Sequence, residues 1–188
     1  TFLPKSCAES RSSASSVSST YAQWARALEE RRVPITVARA GQRVELGEGI
    51  VLEVLHPPAR PLLDTGADRN NNAVVLRLTY GRASFFLASD VEALAEAYLV
   101  RESPSLGATV LKVPHHGSHT SSTTPLLAAV DPLVAVVSVG AENPFGHPDP
   151  EVVRRLEEHV GRDLFLTSRD GTVRVSTDGE RLWVERER

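Results

Sequence analysis

Val110-Leu-Lys-Val-Pro114-His115-His116-Gly-Ser118-His119-Thr-Ser-Ser122 is the stretch that decides the fold. A short apolar run ends at Pro114, and three histidines follow among hydroxyl side chains and Gly117. A continuous apolar run closed by a breaker marks a strand buried on both faces. The strand is expected over residues 108–113. Its imidazoles then sit where the backbone opens into a loop, a place suited to holding a metal or moving a proton. Upstream, Ser84-Phe-Phe-Leu-Ala-Ser-Asp90 is a second strand-like run, closed by a carboxylate. A third run, LVAVVSV over residues 133–139, opens into Gly140-Ala-Glu-Asn143-Pro-Phe-Gly-His147-Pro148. Open α/β sheets build their sites at the carboxyl ends of strands. If these three strands are neighbours, the loops that follow them converge on one site.

The remaining pattern fills in around these strands. Tyr21, Trp24, Ala25 and Leu28 fall on one helical face, which predicts a helix over residues 21–32 with Thr20 as its cap. Residues 33–44 read as extended with a turn at Ala40-Gly41, and residues 50–56 as a strand stopped by Pro57-Pro58. Residues 57–72 form a loop. A hairpin is expected from residues 73–80 and 84–89 around Gly81-Arg82. A helix over residues 91–100 would place Asp90 at its N-terminus, so plain capping competes with any chemical role for Asp90. Helices over residues 124–130 and 150–160 follow, with strands at 163–167, 172–176 and 181–185 and a turn at Arg169-Asp170-Gly171. Strand and helix alternate from residue 84 to 167, so the fold class is an α/β sandwich. Residues 1–19, rich in Ser and Ala without a hydrophobic period, read as a flexible arm, and residues 20–188 as one domain.

Composition narrows the function classes. Of 188 residues, 41% are apolar and 24% charged, ordinary values for a soluble globular protein. A net charge of −3 argues against a broad nucleic-acid surface. It leaves room for a local groove, because 19 of the 21 basic residues are Arg, which suits phosphate. A GC-rich coding sequence explains the same bias. The single Cys7 excludes an intrachain disulfide framework and a cysteine zinc finger. No apolar run approaches the roughly 20 residues of a membrane span. No methionine occurs, so a piece of a longer or processed product is expected.

The candidate residues are few. Neighbours on extended backbone face opposite ways, so one of His115 and His116 is expected to face the site and the other the sheet. Asp90 is suited to a cation. His147 either contacts a phosphate and protonates a leaving group or orders its own loop. His119 is either a surface residue or part of the site. Ser118, Thr120, Ser121 and Ser122 offer hydroxyls and N–H groups to an anion. His56 and His159 read as structural. No Gly-x-Ser-x-Gly elbow occurs, and no base is placed to activate a serine.

Four blocks carry a resemblance: Asn71-Asn72-Ala-Val-Val-Leu-Arg-Leu, Phe-Phe-Leu-Ala-Ser-Asp90-Val-Glu92, Leu-Lys-Val-Pro-His115-His116-Gly-Ser118 and Asn143-Pro-Phe-Gly-His147-Pro148. In order and spacing they resemble the C-terminal metallo-β-lactamase-like domain of ComEC-type DNA-uptake (competence) proteins. The resemblance implies a four-layer αββα fold, two divalent metals (zinc or manganese) and phosphodiester hydrolysis. It implies single-stranded DNA as substrate. The parent would be a membrane-embedded channel of the bacterial inner membrane, with this chain as a soluble domain. By the same resemblance Asp90 and His116 are metal ligands and His115 and His147 are catalytic. Ser118, His119 and Asn143 lie on the substrate side. Two departures stand out. The superfamily's His-x-(His/Asp)-x-Asp-His motif is absent, and Ser89 stands where a glycine is usual. Only the later portion of the αββα fold is therefore expected. Asp90 and His116 fall short of the three protein ligands a catalytic zinc takes, so this chain alone is expected to bind metal weakly or not at all. Two other readings stay open: a non-catalytic nucleic-acid or anion-binding module, and a hydrolase of small esters on the same fold.

Overall fold

The computed structural model describes Phe2–Leu3 and residues 19–187. The arm assigned to residues 1–19 lies outside the described residues, save for Phe2, Leu3 and Ser19. Strand β1 (Phe2–Leu3) pairs in parallel with β2 (Thr36–Val37), and helix α1 (Ser19–Glu30) lies between them in sequence. In α1 the stripe Tyr21, Trp24, Ala25 and Leu28 is partly covered while every other residue is exposed, as the 3.6-residue period requires.

Seven strands form the main sheet, in the order β3 (Arg43–Gly47), β4 (Ile50–His56), β5 (Val75–Tyr80), β6 (Ala83–Leu87), β7 (Val110–Lys112), β8 (Val134–Val137) and β9 (Leu164–Leu166). The first four run antiparallel to one another, and β6 through β9 run parallel. The switch follows from the connections. Gly81 closes a tight hairpin between β5 and β6, whereas helices α2 (Ala93–Glu102), α3 (Thr124–Val130) and α4 (Pro150–Val160) form the crossovers between the parallel strands.

Phe86, Leu111, Ala135 and Leu164 lie side by side in register and are buried on the helical face. Leu99 of α2, Leu126 and Leu127 of α3, and Leu156 of α4 pack against them. Each such side chain, fully buried, contributes about 2 kcal/mol. Phe165 follows Leu164 and so points to the opposite face. There the C-terminal hairpin β10 (Thr172–Thr177) and β11 (Leu182–Glu187) approaches, with the Arg186 guanidinium 5.8 Å from the Phe165 ring centre. The hairpin tip meets the β5–β6 turn, where Arg82 N–H donates to the Gly179 carbonyl at 2.6 Å. A Cβ on Gly81 would collide with that carbonyl. Leu52, Leu78 and Phe85 share this face in register and stay half-covered.

Two local expectations are corrected. Residues 167–170, expected as the end of a strand and the start of a turn at Arg169-Asp170-Gly171, form a helical turn, α5 (Thr167–Asp170). Helix α2 starts at Ala93 rather than residue 91, and Asp90 does not cap it. Asn71 does, from 21 residues upstream: its Oδ1 accepts from Glu92 N–H at 3.2 Å and from Ala95 N–H at 3.3 Å. No helix among the described residues is long and apolar enough to cross a membrane.

Candidate functional site

Parallel strands end at one edge, so the loops after β6, β7, β8 and β9 meet there. These loops carry Asp90, His115 to Ser122, Asn143 to His147, and Thr167. Backbone bonds stitch them together. His115 N–H donates to the Ser89 carbonyl at 3.0 Å, Ala93 N–H to Thr120 at 2.8 Å, and Asp149 N–H to Gly117 at 2.8 Å. The Thr167 hydroxyl accepts from Val139 N–H at 2.7 Å and donates to the Val139 carbonyl at 2.8 Å.

The histidine pair departs from the extended backbone expected for it. His115 (φ 46°, ψ 41°) and His116 (φ 54°, ψ 22°) are both left-handed, and Ser89 has φ 52°. Residues other than glycine adopt this region uncommonly, at about 1–3 kcal/mol each, in turns and at functional sites alike. Adjacent left-handed residues do not alternate, so both rings serve the loop side. Gly117, at φ 78°, closes the turn, and a Cβ there would lie 2.7 Å from Pro148 Cβ. The histidine loop and the His147 loop therefore fit each other only with glycine at 117.

His116 Nδ1 lies 2.6 Å from the Ser138 carbonyl. A carbonyl only accepts, so Nδ1 carries the hydrogen and the neutral ring turns the Nε2 lone pair outward. Nε2 lies 3.6 Å from Asp90 Oδ1. Two acceptors facing each other call for a proton or a cation between them. An imidazole bonded to a backbone carbonyl through its far nitrogen is the usual setting of a metal-binding histidine. Lys112 lies near enough that the Asp90 carboxylate pulls its pKa up, against burial, which pulls it down more strongly.

His115 takes a different partner. Its Nδ1 is 3.5 Å from Glu92 Oε1, and Asn70 Nδ2 donates to the same oxygen at 2.8 Å. Its ring meets that of His147 edge-on at 5.6 Å. Burial holds the His147 pKa below its ordinary value, and the neighbouring His115, His116 and His119 push it further down. His119 is exposed.

The other candidates are already occupied. Asn143 Oδ1 accepts from Phe145 N–H at 3.2 Å and His147 N–H at 3.0 Å, while its Nδ2 donates to the Gly140 and His147 carbonyls. Asn143 thus shapes its own loop. Ser118 is buried, with its hydroxyl 3.1 Å from that of Thr120. The Ser122 N–H, expected to face an anion, is held by the Glu96 carboxylate at 2.6 Å, as is the Thr123 N–H at 2.8 Å. Glu96 is fully buried. Burial raises its pKa, and the hydrogen bonds from Thr123 and Ser122 lower it in part. A groove of about 450 Å³ opens beside His116, lined also by Phe145, His147 and Thr167.

Sequence reasoning missed Glu92, Glu96, Asn70, Phe145 and Thr167. Glu92 had a signal, since it stands two residues after Asp90 in a quoted block. Among the described residues no group of three or more His, Cys, Asp and Glu side chains is placed to hold a metal ion. Asp90 and His116 are thus two donors where a catalytic centre takes at least three, and the described residues alone do not fit a complete metal centre.

No family model matches the chain. It is 31% identical over 147 residues to ComE operon protein 3 of Bacillus subtilis, covering 78% of this chain and 18% of that protein. It is 35% identical over 127 residues to competence protein ComA of Neisseria gonorrhoeae, covering 67% of this chain and 18% of that protein. Recombination protein 2 of Haemophilus influenzae is 33% identical over 141 residues, covering 75% of this chain and 17% of that protein. The chain spans less than a fifth of the length of these relatives.

Proposed function

The chain is related to ComEC-type competence proteins, and we propose that it is the later part of a metallo-β-lactamase-like domain that cleaves phosphodiesters of DNA during uptake. The observation that carries this reading is the facing pair of acceptors, Asp90 Oδ1 and His116 Nε2, 3.6 Å apart, with the far nitrogen of His116 already bonded to Ser138. In this reading the pair supplies two ligands to a divalent cation, zinc or manganese, and further ligands lie beyond the described residues. Glu92 orients His115, and His115 and His147 face one another as donors to a phosphoryl oxygen. The half-covered apolar face around Leu52, Leu78 and Phe85 suits a second sheet layer of an αββα fold, since a strand apolar on both faces needs cover on both. The names of the relatives, which refer to competence and recombination, favour DNA over a small ester. The parent is read as an inner-membrane protein that passes a single strand.

The test is cleavage of labelled single-stranded DNA by the protein at its natural length, with manganese or zinc supplied. Asp90→Ala and His116→Ala are each expected to reduce cleavage to background while leaving the fold intact. Full activity in Asp90→Ala would overturn the reading. A second reading, a nucleic-acid or anion-binding module without hydrolysis, is favoured by the count of two donors. Retention of DNA by the unaltered protein with no cleavage under any metal would select it.

A further inference from the structure

Phe145 is 76% exposed, although it sits on a loop with little freedom to move. Asn143 holds the N–H groups of Phe145 and His147 with one oxygen and two loop carbonyls with its nitrogen. Asp149 N–H ties the end of the loop to Gly117. The phenyl ring lies nearly parallel to the His147 ring, 21° apart at 6.0 Å, and His147 in turn meets His115. The rings therefore run in a file from Phe145 through His147 to His115, the chain neighbour of His116. Core packing does not account for a large apolar ring held rigidly in water beside polar chemistry.

We propose that Phe145, backed by His147, is a stacking platform for an unpaired nucleobase at the rim of the groove beside His116. This rests on the DNA reading above and adds the residue that grips a base of the strand. A flat, exposed π-face beside a phosphate site is how single strands are gripped without regard to sequence, because every base has a π-face to offer. The side chain of Asn143 is fully engaged, so it reads no base edge. The residues lining the groove include no carboxylate, and Asp90 lies 3.6 Å from His116. A base inside a duplex already has both faces stacked, so the platform selects single strands.

The test is fluorescence anisotropy of this chain with a labelled oligothymidylate and with an abasic strand of the same number of phosphates, without divalent metal. Base–aromatic stacking predicts about tenfold tighter binding of the oligothymidylate. Phe145→Ala should bring oligothymidylate binding down to the abasic level and leave abasic binding unchanged. Phe145→Trp should keep the preference, which a merely structural role for Phe145 does not require. Equal affinity of the unaltered chain for the two strands, or a preference that survives Phe145→Ala, overturns the platform. Metal-dependent cleavage without base preference would refute the platform and leave the hydrolase reading standing. Base preference without cleavage would do the reverse.

Discussion

Replacing Asp170 with asparagine should loosen the C-terminal hairpin from the sheet. The Asp170 side chain is 2% exposed at the end of α5. One carboxylate oxygen accepts from Leu166 N–H at 2.9 Å and from Arg169 Nη2 at 2.9 Å, and the other accepts from Arg186 on β11 at 3.3 Å. The Arg169 hydrogen bonds are the main reason its pKa falls from 3.8 to about 2, and the Leu166 N–H adds to them against burial. At about 1.4 kcal/mol per unit, a fall of nearly two units is worth about 2.5 kcal/mol to the folded state. Water around the two half-exposed guanidinium groups reduces this to about 2 kcal/mol. A depressed folded-state pKa gives stability that is present above the unfolded pKa and lost as pH falls through the folded one. The contribution is thus complete above pH 3.8 and disappears toward pH 2. Urea unfolding at neutral pH should show Asp170→Asn less stable by about 2 kcal/mol, and the gap to the unaltered chain should narrow below pH 3.8. An unaltered midpoint at neutral pH, or a gap that stays constant down through this range, would refute the reasoning.

Three further substitutions probe the scaffold under the site. Glu96→Gln keeps one acceptor oxygen and turns an amide toward a second N–H group, so urea unfolding should register a loss of about 1–3 kcal/mol; an unchanged midpoint would contradict the bonds to Ser122 and Thr123. His56 is buried, with Nε2 on the Asn71 carbonyl and Nδ1 without a partner, and burial keeps its pKa below 6.5. Its neutral form stabilises the fold fully above pH 6.5, and stability falls below that as the unfolded chain takes up the proton first. His56→Gln should make that slope shallower, and a slope unchanged in the variant would count against the assignment. Gly117→Ala places a Cβ against Pro148 at φ 78° and should cost about 1–3 kcal/mol, read from the unfolding midpoint, with no loss if the two loops separate freely.

Much of this arrangement was legible in the chain. The strand at Ile50–His56 and the helices at Thr124–Val130 and Pro150–Val160 fall where periodicity and prolines place them. Convergence of Asp90 with the histidine loop followed from reading parallel strands with reactive carboxyl ends. The conformation of the histidine pair was not legible, because left-handed backbone at His115 and His116 has no local signature, and the turn it forms closes at Gly117 against Pro148 of a distant loop. Capping of α2 was misread for a similar reason. Local rules offered Asp90, but the acceptor that reaches the N–H groups is Asn71, in the turn that leads into β5. Glu96 carried no mark in the sequence, and the residue 122–123 loop whose N–H groups it accepts explains its burial. Helical and strand periods report on neighbours a few residues apart, whereas these three features depend on pairs brought together by topology.

The most direct test of the central claim is the metal content of the purified natural-length protein, measured by elemental mass spectrometry after manganese or zinc has been supplied. The account predicts bound metal that is lost in Asp90→Ala and in His116→Ala while both variants remain folded. Metal retained equally in both variants would contradict it, as would an unaltered protein that takes up none.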